Sequence, residues 1–126
     1  MSKVRLSFHT KRLSDFDLKR IVKAEAQGFD KPITGYLCGA FIKAHTGIGV
    51  VFDHARRTPY GRFADGHIIC TSNVVRAERE GRFWVLTTQH SRYVLATFRK
   101  GGGRNSLREF LRLSRGHHHH APGMLQ

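Results

Sequence analysis

Residues 67–98, HIICTSNVVRAEREGRFWVLTTQHSRYVLATF, decide the fold. Three runs within it, 67–75, 82–88 and 92–98, are rich in Ile, Val, Thr, Phe, Trp and Tyr, which fit a pleated, half-buried surface. Two short polar segments separate them, RAEREG (76–81) and QHS (89–91). β-type runs joined by short turns predict an antiparallel meander. Just upstream, YGRFADG (60–66) ends in Asp65-Gly66, a pair suited to a tight turn whose glycine takes positive φ.

Working outward, residues 54–66 read as a long loop carrying Arg56, Arg57 and Arg62 with Tyr60 and Phe63. Before it, KPITGYLCGAFIKAH (31–45) reads as a strand bent at Gly35 and Gly39, and GIGVVFD (47–53) as a second strand after a His45-Thr46-Gly47 turn. Earlier still, SDFDLKRIVKAEAQG (14–28) predicts a helix with Ser14 as N-cap and Gly28 as its stop. The start of the chain, KVRLSFH (3–9), alternates apolar Val4, Leu6 and Phe8 with polar neighbours, the period of a half-buried strand. On the other side, RKGGGRNS (99–106) interrupts the β pattern, because three consecutive glycines do not form strand interior. Ser106-Leu107-Arg108-Glu109 has the S-x-x-E form of a capping box, so a helix is expected from there to Gly116. These readings predict one α+β domain over 1–116. It is a strongly bent antiparallel meander or small barrel, with an N-terminal helix and a C-terminal Arg-rich helix. The His-rich residues 117–126 are expected to be a disordered tail.

Charge is the strongest functional signal. The 126 residues hold 22 Lys and Arg against 9 Asp and Glu, a formal net charge of +13, and 15 of the 22 are Arg. Solubility alone asks for a net charge of about 2–8 in a small domain. Such an excess repels itself unless a polyanion relieves it, and nucleic acid is the polyanion that suits Arg forks and stacking guanidinium planes. Two segments concentrate the charge. Arg99, Lys100 and Arg104 flank the glycines, and Arg104, Arg108, Arg112 and Arg115 recur along one helix face with Glu109 as the one opposing acid. The glycine loop opening onto a helix N-terminus predicts backbone N–H groups that cradle a phosphate. In the loop, Arg56, Arg57 and Arg62 would contact phosphates while Tyr60 stacks on a base. No GK[ST] ending follows the glycines, so nucleotide hydrolysis is not indicated.

Catalysis has weaker support. His54, His67 and His90, with Asp53 and Asp65, would serve a metal-free ribonuclease or toxin, but no zinc-ligand spacing and no paired-carboxylate pattern frames them. No catalytic residue, metal ligand or cofactor is therefore assigned. Cys38 and Cys70 sit in apolar runs without a CxxC, which predicts two buried, reduced thiols. MSKVRLSFHTKR has no apolar stretch of signal-peptide type, and no run approaches the ~20 apolar residues of a membrane span. A cytoplasmic protein without membrane contact is expected.

Gly61, Arg62, Phe63, Asp65, Gly66, Ile69, Thr71, Ser72 and Val74, followed by Thr88, Ser91, Tyr93 and Leu95, form the pattern GRFxDGxxIxTSxV…TxxSxYxL. This pattern resembles that of small accessory proteins of phages, prophages and plasmids. The resemblance implies a mobile-element protein acting in a bacterial host cytoplasm and carries over no catalytic residue. Two partners fit that setting: DNA or RNA bound through phosphates, or an acidic host protein complex blocked by an anti-CRISPR or anti-defence inhibitor.

Overall fold

Alternation along the strands creates two apolar faces, and one helix covers each. The structure is a computed structural model that describes residues 13–120, with side chains through residue 114. Its elements are α1 (Asp15–Gln27), β1 (Gly35–Lys43), β2 (Thr46–Phe52), β3 (Ile68–Asn73), β4 (Arg76–Glu80), β5 (Phe83–Thr87), β6 (Arg92–Leu95) and α2 (Gly103–His120). The alternating run 3–9 lies outside the described residues.

The six strands form one open sheet in the order β3-β2-β1-β6-β5-β4. The fold is α+β with a helix near each end of the chain, as expected, and the sheet is not closed into a barrel. It consists of two antiparallel meanders, β1-β2-β3 and β4-β5-β6, joined by a parallel pairing of β1 with β6. The expected meander is thus corrected in one respect. RAERE, read as a turn, is strand β4, paired in register from Arg76↔Thr87 to Glu80↔Phe83. Run 67–75 supplies β3, which pairs with β2 instead. β4 carries four charged residues because it is an edge strand, where charge discourages pairing with other chains.

Tyr36, Cys38, Phe52, Phe83, Val85 and Val94 point to one face and pack with Ile21 and Ala24 of α1. Leu37, Val51, Leu86, Tyr93 and Leu95 point to the other and pack with Leu107 and Phe110 of α2. Burying one such Phe or Leu contributes about 1.5–3 kcal/mol. α1 begins where Ser14 Oγ accepts the Asp17 N–H at 3.1 Å and ends at Gly28, φ 75°, whose N–H donates to Ala24 O. Both signals were local and both hold.

β1 bends through a bulge between Cys38 and Phe41, with Gly39 at φ 60° and its N–H donating to Thr97 Oγ1 at 2.8 Å. The β1–β2 turn falls at Ala44 and His45, both at positive φ, one residue before the expected position. Parallel pairing continues past the bulge through Ala40 N–H to Thr97 O and Arg99 N–H to Ala40 O, both 3.0 Å. This carries the chain straight to the start of α2.

There the expected capping box is overturned. α2 starts at Gly103, so Ser106 lies inside the helix, where its Oγ donates to Gly103 O at 2.7 Å and accepts the Ile42 N–H at 2.9 Å. The early start depends on glycine. A Cβ at 103 would sit 2.6 Å from Ala40 O and 2.9 Å from Phe98 Cβ. α2 also runs on to His120, past the expected stop at Gly116.

Cys38 is buried, and burial pushes its thiol up to about 12. Cys70 corrects the expectation for the second cysteine. It is exposed on the uncovered face of edge strand β3, with Sγ 3.3 Å from Thr46 Oγ1. Both thiols are free. No helix among the described residues is long and apolar enough to cross a membrane.

Candidate nucleic-acid interface

A groove opens where β6 ends and α2 begins. Its volume is about 1220 Å³, and six basic side chains line it: Arg20 and Lys23 from α1, Arg99 and Lys100 from the turn, and Arg104 and Arg108 from α2. Asp17 is the one carboxylate in the lining. A smaller pocket of about 380 Å³ adjoins it, shares Arg20, Phe98 and Arg104, and adds Arg79 and Arg82 from the β4–β5 hairpin.

The fold holds these cations by their stems and by aromatic rings. Arg20 Nε donates to Ala96 O at 3.0 Å while its guanidinium lies 4.3 Å over the Phe83 ring. Arg104 lies 4.4 Å over Phe98, and Arg99 lies 4.7 Å over Phe41. Arg108 donates to Asn105 Oδ1 at 2.9 Å. Stacking fixes a guanidinium without neutralising it, so its donors keep their charge for a ligand. Burial first, then the neighbouring Arg104 and Arg82, lower the pKa of Arg20. Three carboxylates outside the lining are paired with other arginines: Glu80 with Arg92, Glu78 with Arg76 at 3.4 Å, and Glu109 with Arg112. The groove therefore keeps a concentrated positive field.

The residues singled out from sequence divide into two groups. Arg99, Lys100, Arg104 and Arg108 come together in the groove. Arg112 does not line it and ion-pairs with Glu109 on the exposed side of α2, while the Arg115 side chain lies outside the described residues. The glycines do less than a phosphate cradle would, because the Gly103 N–H is already bonded to Arg99 O at 2.9 Å.

Arg56, Arg57, Tyr60 and Arg62 lie elsewhere. Their loop leaves β2 beside the start of β1, whereas the groove opens beyond the end of β6. β1 and β6 run parallel, so loop and groove sit at opposite ends of these strands. Arg57 pairs with Asp53 at 2.7 Å, Arg56 and Arg62 lie 5.6 and 4.8 Å over the Phe63 ring, and Tyr60 is 99% exposed. Asp65 is buried, with Oδ1 accepting the Asp53 N–H at 2.7 Å, and Gly66 takes φ 91°. The GRFADG segment thus shapes the loop.

His54 anchors this loop. It is 0% exposed and stacks on Phe63 at 3.9 Å. Its Nδ1 accepts the Arg56 N–H at 3.0 Å, so Nε2 carries the proton and donates to Tyr93 Oη at 3.0 Å. Burial, reinforced by Arg56, Arg57 and Arg62, holds it down at about 4. Both ring nitrogens are committed to the fold. His67 and His90 are exposed, and among the described residues no three His, Cys, Asp or Glu side chains group to hold a metal.

Sequence reasoning missed Arg20, Lys23, Arg79 and Arg82 as site residues. Arg20 and Lys23 sit in a helix pattern where basic residues ordinarily form a solvated face, and Arg79 lies in RAEREG, the segment expected to be a turn. It also missed Phe16, an aromatic 65% exposed on the groove lining. No spacing signal marks them as one group, since they come from two separate parts of the chain, α1 and the β4–β5 hairpin. Comparisons with known proteins find no match: no protein-family model, no curated protein and no solved structure is similar to the chain.

Proposed function

We propose that this is a non-enzymatic, basic accessory protein of a phage or mobile element that binds nucleic acid through phosphate contacts in the groove. The observation that carries this reading is six basic side chains from α1, the 99–102 turn and α2 lining one groove with a single carboxylate. Phosphodiester backbones supply regularly spaced charge to such an array, and Arg forks match phosphate geometry. Phe16 offers a face for an unpaired base. The GRFxDG pattern supports the mobile-element setting and action in a host cytoplasm.

The test is fluorescence anisotropy with labelled duplex DNA, single-stranded DNA and RNA at ~50 and ~200 mM salt. Six phosphate contacts predict about a thousandfold loss of duplex affinity over that step, and somewhat less for a single strand. Absence of binding at the lower salt would overturn the proposal and direct the search to an acidic protein partner.

A further inference from the structure

The pocket beside the groove is more densely charged than a passing backbone needs. Four guanidinium groups, Arg20, Arg79, Arg82 and Arg104, surround about 380 Å³ over a floor that includes Trp84, Leu95 and Phe98. That volume lies at the small end of ligand pockets, roughly one nucleotide. Arg79 Nε is tied to Gly81 O at 3.2 Å, which fixes its side chain in the pocket lining. Burial, and then the like charges of Arg104 and Arg82, lower the pKa of Arg20 within the cluster.

An in-chain phosphodiester carries a single charge. A terminal phosphomonoester carries about −1.5 to −2 at neutral pH and three acceptor oxygens. It neutralises more of the cluster and satisfies more forks at once. The pocket shares Arg20, Phe98 and Arg104 with the groove, so a strand lying in the groove reaches it without leaving protein contact.

We propose that the four-arginine pocket holds the terminal phosphate of a nucleic-acid strand whose backbone occupies the adjoining groove. This rests on the nucleic-acid reading of the groove and adds a preference for phosphorylated strand ends. The protein would favour nicked, cleaved or otherwise end-phosphorylated strands over hydroxyl ends.

The experiment compares single-stranded oligonucleotides of one sequence, labelled internally, with a 5′-phosphate, a 3′-phosphate or hydroxyls at both ends. Anisotropy at ~50 mM salt is expected to show one phosphorylated end bound about tenfold or more tightly than the hydroxyl strand, the scale of one extra charge-assisted contact. The ratio is expected to fall to near one in Arg79→Ala/Arg82→Ala, with a thermal melt confirming the fold. Arg82→Gln alone, at an exposed position, replaces the double variant if that variant melts early. Equal affinity for all three strands would overturn the end preference and leave the groove reading standing. A preference that survives the pocket variants would overturn its location. Failure to bind any single strand while duplex DNA still binds would overturn the end pocket alone, and failure on duplex DNA and RNA as well would overturn both proposals together.

Discussion

Acidification should loosen the His54 loop by a predictable amount. His54 is held at about 4, below its ordinary 6.5, by burial and by the adjacent Arg56, Arg57 and Arg62. Between those values the unfolded chain binds the proton and the folded chain does not, so stability rises with pH. The contribution is complete above about pH 6.5 and drains away as pH falls towards about 4. With these values, moving from about pH 7.5 to about pH 5 removes roughly 2 kcal/mol. In a chain of this size that lowers Tm by about 10 °C. Protonation would also expel the Arg56 N–H from Nδ1 and set a cation among three others. The assay is thermal unfolding by circular dichroism at both pH values, for wild type and His54→Gln. The variant loses the Phe63 stack and starts less stable at the higher pH, but its stability should change little across the same step. An unchanged pH slope in His54→Gln would refute this account of the loop.

Urea denaturation should separate the three glycines. Gly103→Ala forces a Cβ against Ala40 O and Phe98 and is expected to cost roughly 1–3 kcal/mol. Gly101→Ala, at φ 82°, costs about 1–2 kcal/mol. Gly102→Ala, with open space around it, stays within about 0.5 kcal/mol of wild type. In anisotropy at ~50 mM salt, Arg108→Ala should weaken binding by about tenfold, the scale of one phosphate contact. Arg112→Ala, ion-paired outside the groove, should change it by less than about threefold. Phe16→Ala should weaken single-stranded binding by about fivefold or more while leaving duplex binding nearly unchanged, since only unpaired bases can stack there.

What was legible in the sequence was local. Ser14 and Gly28 mark the ends of α1 because capping involves neighbours three or four residues away. Ile, Val and aromatic runs mark β3, β5 and β6 because strands with a buried face show it in composition. β4 was hidden because an edge strand of alternating charges has no apolar period, and what holds it is pairing with β5. Ser106 mimicked a cap because the sequence does not show that Gly103 fits against Ala40 O. Cys70 looked buried because the sequence does not reveal which face of β3 lacks a covering helix. The site divided along the same line. Arg99, Lys100, Arg104 and Arg108 cluster in sequence, and they line one groove. Arg20, Arg79 and Arg82 join them because antiparallel pairing of β5 with β6 sets the β4–β5 hairpin beside the end of β6, close to where α2 begins and Arg20 of α1 reaches.

The claim that the groove binds nucleic acid is tested most directly by two variants of equal charge. Arg104→Ala/Arg108→Ala removes two cations from the groove, and Arg56→Ala/Arg62→Ala removes two from the loop at the opposite end. Anisotropy at ~50 mM salt is expected to show about a hundredfold loss for the first pair and less than about threefold for the second. Equal losses would mean that net charge alone drives binding. A larger loss in the loop variant would contradict the groove as the interface.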